Sequence, residues 1–454
     1  VYAYHAKILL IHRYPSMGGP ILNIKHTLAQ DWDELVQHLP GDLDASAKHY
    51  GALQRRRKIT SASDLLHLLL IYSTVLSLRL TVIWGVGLHI CDISRQDLQQ
   101  RVHSSAAWLR YLLTTLLNTT FATLPESQAL ITRFILRDAS TISRPGSAGT
   151  EWRLHLSWRP FAMQPAEVTL TDAHSAEGLA DCDLRAGDLI LADRAYGIWR
   201  TLREALDALA YFIIRINWTS LPLCTLEGDP FDLIAWLQSL PETQERAELL
   251  VSAIDDPQQR PLRLIAGRLP PDKVALAQER VRRRARKKQR TPHPHTLLAA
   301  GFCILITNIP REAWSTALIL AGYRIRWQVE WCFRRWKSLC QLDVLPAYPA
   351  EIAEVVLLAK LLLILLLQKH LGYLPWQTWW AAVEPPPVVS PVVTLLYQHL
   401  CQIIRPPDIV NQLLADPRPF LRHLRSSRRR RPLQLAEAIP RFAKLCPDLM
   451  PAPT

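Results

Sequence analysis

The stretch "YRIRWQVEWCFRRWK", residues 323 to 337, sets three tryptophans, four arginines and one lysine around a single acid, Glu330. Turned through about 100° per residue, it brings Tyr323, Arg326, Glu330 and Lys337 within roughly 60° of one another. Arg334 falls beside them. Ile325, Val329, Cys332, Phe333 and Trp336 gather on the opposite side as a core-facing stripe. The spacing predicts a helix with one face in a core and, on the other, one carboxylate in a row of cations. The pairs Arg326–Glu330 and Glu330–Arg334 are also the i,i+4 pairs of an ordinary solvated helix, so the reading depends on the rest of the chain.

Two aspartates upstream change that reading. Asp138 follows the apolar run "FILR", and Asp193 follows "LILA". An acid placed where a buried strand emerges is costly unless something partners it. If the two strands are neighbours in a sheet, both acids project at one edge, and a following helix can add Glu330. Three converging carboxylates repel one another and call for divalent cations. Hard oxygen ligands suit Mg²⁺ or Mn²⁺.

The surrounding sequence supplies the sheet. "ALITRFILRDAS" (129–140), "EWRLHLSW" (151–158), "AEVTLTD" (166–172), "GDLILADRAYG" (187–197) and "YFIIRIN" (211–217) read as strands, with "IWRTLREALDALA" as a helix before the last. This order predicts an α/β core with a mixed sheet and flanking helices. Residues 218–300 read as a β-rich, basic insertion, after which "AGFCILITNIP" resumes a buried strand. Residues 25–125 read as helical. There, "SASDLLHLLLIYSTVLSLRLTVIWGVG" predicts one long core helix, and Ser94 with Asp97 a capped second one. A helix pair of this kind is compatible with helix-turn-helix DNA binding and equally with a small bundle. Residues 346–454 read as C-terminal helices with a basic tail.

Across 454 residues the formal charge is +13, and 279–290 with 422–431 account for the whole excess. A polyanion partner, nucleic acid above all, is the expectation. The cysteines at 91, 182, 224, 303, 332, 340, 401 and 446 form no Cys-x-x-Cys pair and read as reduced thiols of a cytosolic protein. "PHPH" (292–295) reads as a proline-punctuated loop rather than a metal site. Val355 to Leu367 is too short for a membrane span of ~20 residues and reads as a buried helix. The first 24 residues read as disordered or as an over-long start, with Met17 a possible true start.

With these residues in place, the opening stretch resembles the Tyr-x2-Arg-x3-Glu-x6-Lys signature of the insertion-sequence-four family of DDE transposases, with every spacing kept. "DAST" (138–141) and "ADRAYG" (192–197) resemble that family's two aspartate motifs. The resemblance covers roughly 60–345 well and the C-terminal helices loosely. It implies an RNase H-like core divided between 126–217 and 301–345. It implies a catalytic and metal-binding triad of Asp138, Asp193 and Glu330 holding two Mg²⁺ (or Mn²⁺) ions. Tyr323, Arg326 and Lys337 would contact DNA phosphates, and Arg215 is a further candidate. The implied activity is cut-and-paste transposition: hydrolytic nicking at terminal inverted repeats, commonly a hairpin at the excised end, then strand transfer into target DNA. The implied partners are double-stranded DNA and a second copy in a synaptic dimer, in a bacterial cytoplasm at the nucleoid, with no membrane. The rival readings are a metal-dependent nuclease of the same fold and a catalytically inactive DNA-binding relic.

Overall fold

A computed structural model describes residues 29–121, 130–161, 163–372 and 389–424. The expected disordered start, residues 384–388 of the proline-rich linker and residues 425–431 of the second basic run lie outside the described residues; the rest of the expected linker, 389–393, is helical.

Six helices come first: α1 (Trp32–Gln37), α2 (Leu43–His49), α3 (Ala62–Val75), α4 (Leu78–Gly87), α5 (Arg95–His103) and α6 (Ala106–Phe121). Ser94 and Asp97 form the reciprocal capping box expected of them. The long helix expected across residues 63–87 is instead two. α3 starts at a Ser61–Asp64 capping box and ends at Leu76, whose φ of 53° is left-handed; Ser77 then caps α4. Leucines and valine flank the break on both sides ("STVLSLRL", 73–80), so the apolar periodicity gave no sign of it. Ten of the fourteen residues of α3 are buried. This helix belongs to the core and cannot lie in a DNA groove.

The sheet follows, as β1 (Arg133–Ile142), β2 (Trp152–Arg159), β3 (Gln164–Asp172), β4 (Asp188–Ala192), helix α7 (Trp199–Asp207) and β5 (Tyr211–Arg215). Next come β6 (Leu223–Cys224), α8 (Leu233–Ser239), β7 (Arg246–Ala253), β8 (Leu262–Arg268), the basic helix α9 (Pro271–Lys287), α10 (Pro294–Ala299) and β9 (Phe302–Thr307). The nine strands form one mixed sheet in the order β3-β2-β1-β4-β5-β9-β8-β7-β6. β1, β4 and β5 run parallel at its centre, and the strands on either side are antiparallel. The strands of 218–300 thus extend the same sheet through β9.

Side chains alternate between the two faces of each strand, and the cores follow that alternation. Leu136, Leu189, Leu191, Ile213 and Leu305 enter one core, which holds the N- and C-terminal helices. Ile190, Ala192, Phe212, Ile214 and Ile304 enter the other, roofed by α7 and α8.

The opening stretch lies on the first of these faces. α11 (Thr316–Tyr323), a 3₁₀ turn (Arg324–Arg326) and α12 (Trp327–Ser338) follow one another with little interruption. Val329, Cys332, Phe333 and Trp336 are buried, as the stripe predicts. The chain continues with α13 (Ala350–Gly372), α14 (Val389–Ile404), α15 (Asp408–Ala415) and α16 (Leu421–Leu424). α13 is the expected buried helix, apolar on every side and packed between α3, α6 and α14. No described helix is long and apolar enough to cross a membrane.

Candidate active site

The register of the three parallel strands builds the site. Arg137 on β1 pairs with Ala192 on β4, and Ala192 pairs with Ile214 on β5. One residue further along each strand stand Asp138, Asp193 and Arg215, a row across three neighbouring strands. All three share the parity of Leu136, Leu191 and Ile213, so they belong to the face on which α12 packs.

Asp193 occupies its expected place, directly after the last residue of β4 and at the start of a 3₁₀ turn, Arg194–Tyr196. Asp138 does not close its strand, as was expected of it. β1 runs on to Ile142 because β2 continues to pair with it. Only the parallel pairing to β4 ends at Arg137. The acid therefore stands where one side of β1 loses its partner. Its carboxylate accepts from the Ala139 backbone N–H at 2.9 Å.

Gly197, in "ADRAYG", closes the turn after Asp193. A Cβ there would lie 2.7 Å from the carbonyl oxygen of Arg215. Only glycine lets the loop sit directly on the end of β5.

Arg326 joins the strands to the helix. The exposed cationic face expected for this residue is wrong in one respect: Arg326 and Tyr323 are buried, at 5% and 8% exposure. Arg326 Nη1 lies 3.5 Å from Asp138 Oδ2, and Nη2 hydrogen-bonds the Glu330 carboxylate. Helical spacing placed Arg326 beside Glu330; it did not reveal that the sheet edge covers this side of the helix. Burial works against the Arg326 charge, but Tyr323, Asp193 and Glu330 more than offset it and hold its pKa above the ordinary value. Arg326 Nε and Nη1, and the Tyr323 hydroxyl, are buried without a hydrogen-bond partner.

Burial pushes the Asp138 pKa up to about 6; Ala139 and Arg326 pull against the rise, while Glu330 and Asp193 add to it. Glu330 and Asp193 therefore both lie within electrostatic reach of Asp138, although the three come from distant parts of the chain. As oxygen donors they suit a hard divalent cation. As placed, they do not close into a ligand set, and among the described residues no group of three or more His, Cys, Asp or Glu does so. The guanidinium set against Asp138 and Glu330 supplies positive charge there.

Lys337, one turn beyond Arg334, donates to the Thr141 carbonyl at 2.9 Å and so ties α12 to the end of β1. Trp327 and Trp331 are exposed on the outer side of α12, with Arg334 over the Trp331 ring at 4.8 Å. "PHPH", expected as a loop, is instead a helix start, with Pro294 and His295 inside α10. His293 caps α10, and both histidine rings pack against Trp218. The seven described cysteines are free thiols.

One supporting group was not anticipated from the sequence. Arg137 projects to the opposite face from Asp138, fully buried, and donates to Ser157 Oγ at 3.0 Å, with Glu167 3.8 Å away. Ser157 in turn donates to Glu167 at 2.7 Å. A charged pair of this kind anchors β1, β2 and β3 from beneath. Its only sign in the sequence was the adjacency of Arg137 to Asp138, which strand alternation turns into opposite faces.

Residues 131–366 match the family described as Transposase DDE domain. The chain is 33% identical over 353 residues to the putative transposase InsL for insertion sequence element IS186A of Escherichia coli (strain K12), covering 75% of this chain and 93% of that protein. It is 33% identical over 354 residues, with the same coverage, to the transposase for insertion sequence element IS421 of Escherichia coli. Over 197 residues it is 28% identical to the transposase for insertion sequence element IS231F of Bacillus thuringiensis subsp. israelensis, covering 40% of this chain and 41% of that one. With the matched segment spanning β1 to α13, and thus both aspartates and Glu330, the chain belongs to the DDE-domain transposases of insertion sequences.

Proposed function

We propose that this transposase is of the insertion-sequence-four kind, with an RNase H-like core whose metal-binding triad is Asp138, Asp193 and Glu330. The observation that carries the reading is the row Asp138–Asp193–Arg215 across three adjacent strands, with Arg326 set against Asp138 and Glu330. The order β3-β2-β1-β4-β5, with β4 and β5 parallel to β1, supports the RNase H-like core. The Tyr323, Arg326, Glu330 and Lys337 spacing supports the family.

In this reading the three carboxylates hold Mg²⁺ or Mn²⁺, as two ions. When bound, such ions lower the pKa of an attacking water and stabilise the leaving oxygen of an in-line phosphoryl displacement. The protein's own groups do the rest. Arg326, with buried donors unused, can exchange carboxylate for phosphate, and its planar fork suits either. Tyr323 offers a hydroxyl, and Lys337 and Arg215 offer charge, to the same strand. The basic α9 adds salt-sensitive contacts along the backbone. The DNA would be the element's terminal inverted repeats and then the target, gripped by two copies of the chain in a bacterial cytoplasm.

The test uses oligonucleotides that carry the element's ends. The wild type should cleave them in Mg²⁺ and join pre-cut ends to a target plasmid. Asp193→Asn should lose cleavage by about 10³-fold or more, the scale on which loss of an electrostatic stabiliser acts, with end binding kept. Cleavage without joining would favour the nuclease reading. Binding without cleavage in any divalent metal would favour the relic.

A further inference from the structure

A second group of arginines gathers beside Asp193, with Asp193 the one acid among the described residues within electrostatic reach of Arg194. Arg194 follows Asp193 and donates to Asn217 Oδ1 at 3.5 Å. Arg215 ends β5, and its carbonyl is the surface on which Gly197 sits, so the loop bearing Arg194 rests on the strand end bearing Arg215. The basic helix α9 is fastened over the same place. Trp218, three residues after Arg215, hydrogen-bonds Thr296 of α10 at 3.3 Å and stacks on His293. α9 is held to α10 in turn by Gln278, which donates to the Leu297 carbonyl at 3.2 Å.

On α9 the partly covered residues Val274, Ala277, Gln278, Val281, Arg282 and Ala285 mark the side turned to the protein. Arg284 stands on the flank of that side and comes within electrostatic reach of Arg194; Arg283 points directly away. Among the described residues, Arg194, Arg215 and Arg284 make no ion pair with a carboxylate. Tyr323, 8% exposed and lying under Arg326, has an unpartnered hydroxyl and is within electrostatic reach of both Arg194 and Arg215. Two arginines within electrostatic reach of a buried hydroxyl that has nothing to donate to, with a third beside the first, make an anion site without its anion.

We propose that Arg194, Arg215 and Arg284, with the Tyr323 hydroxyl, form a cradle for one phosphodiester of the DNA strand beside the scissile phosphate. The cradle is shared between the catalytic sheet and the basic helix of 218–300. That helix is therefore a component of the active site, not a diffuse electrostatic sleeve. The inference rests on the transposase reading and deepens it. It concerns where the helix acts, not whether the triad cuts.

The test is a methylphosphonate scan of an end oligonucleotide, in which single phosphates are neutralised in turn around the cleavage point, with affinity and cleavage measured at each. For the wild type, one neutral linkage within about two nucleotides of the cut should weaken binding by roughly tenfold, the scale of a 1.4 kcal/mol contact. Arg284→Ala should weaken binding to natural DNA similarly and lose nothing further from that same linkage, the non-additivity expected of partners. Arg283→Ala, which removes equal charge from the outer face, should remain sensitive to that linkage. The proposal is overturned if Arg284→Ala and the neutral linkage weaken binding additively at every position, or if Arg283→Ala and Arg284→Ala behave alike. A wild type that cuts normally while the Arg284 result is negative removes the cradle and leaves the triad standing. A wild type that cuts no DNA removes the transposase reading itself.

Discussion

Arg326 Nη1 stands 3.5 Å from Asp138 Oδ2, and the two residues are joined across 188 positions of chain by nothing but the docking of α12 on the sheet edge. The same guanidinium hydrogen-bonds Glu330. One cation thus serves two of the carboxylates a divalent metal would need. If these acids hold the metal, metal and guanidinium would compete for the same charges, and a DNA phosphate that drew Arg326 away would favour the metal by linkage.

Removing that competitor should be visible without DNA. Arg326→Met is expected to bind Mn²⁺ about tenfold more tightly than the wild type, the order of one partly buried charge contact, as read from the free Mn²⁺ signal in electron paramagnetic resonance. Its cleavage activity should fall at the same time, because the phosphate contact is lost. Weaker Mn²⁺ binding by the variant would show that Arg326 organises the acids instead of occupying them.

Asp138 makes a prediction about stability. Its folded pKa of about 6 exceeds the ordinary 3.8, so the folded protein holds the proton more tightly than the unfolded chain. The favourable contribution is full below pH 4 and is lost as pH rises through 6. At pH 8 the ionised group costs about 2–3 kcal/mol. Asp138→Asn should therefore unfold at higher temperature than the wild type at pH 8 in EDTA, with the difference fading near pH 4, while cleavage is abolished. Equal or lower stability of the variant at pH 8 would mean that Arg326 and Ala139 fully compensate the charge.

Lys337 is tied to Thr141 in the DNA-free protein. If it turns to a phosphate in the complex, Lys337→Ala should weaken end binding and reduce the slope of log K against log salt by about 1. Titrations between 50 and 200 mM salt would read this. An unchanged slope would leave Lys337 as a strap between α12 and β1.

Lys360 gives a structural control far from the chemistry. Buried in the apolar α13, it donates to the carbonyls of Gln341 and Val344, at 2.6 and 2.7 Å, in the turn after α12. Burial lowers its pKa to about 8, with Asp343 and Cys340 working against the fall. Lys360→Met would leave two acceptors buried and should cost about 1–3 kcal/mol, measured by denaturant unfolding. A variant as stable as the wild type would show that water satisfies those carbonyls.

Much of the site was legible because its chemistry is local. Strand alternation and the run "LILA" place Asp193, and the helical spacing of 323–337 predicts both the buried stripe and the Arg326–Glu330 pair. What escaped is what other elements decide. The end of β1 depends on β2, which carries the strand past Asp138. Burial of Arg326 depends on the sheet edge that α12 meets. The break at Leu76 is a leucine in a conformation its sequence does not favour. The arginines of 279–290, read as part of a basic insertion, lie largely on one helix that Gln278 ties to α10, itself held by Trp218.

The central claim is that Asp138, Asp193 and Glu330 surround one metal site. Replacing Mg²⁺ with Fe²⁺ in the DNA complex and adding ascorbate and peroxide generates radicals that cut the polypeptide near the bound ion. Cuts should fall beside residues 138, 193 and 330, be suppressed by excess Mg²⁺, and disappear in Asp193→Asn. Cutting that misses any one of the three positions, or that persists in the variant, would contradict the account.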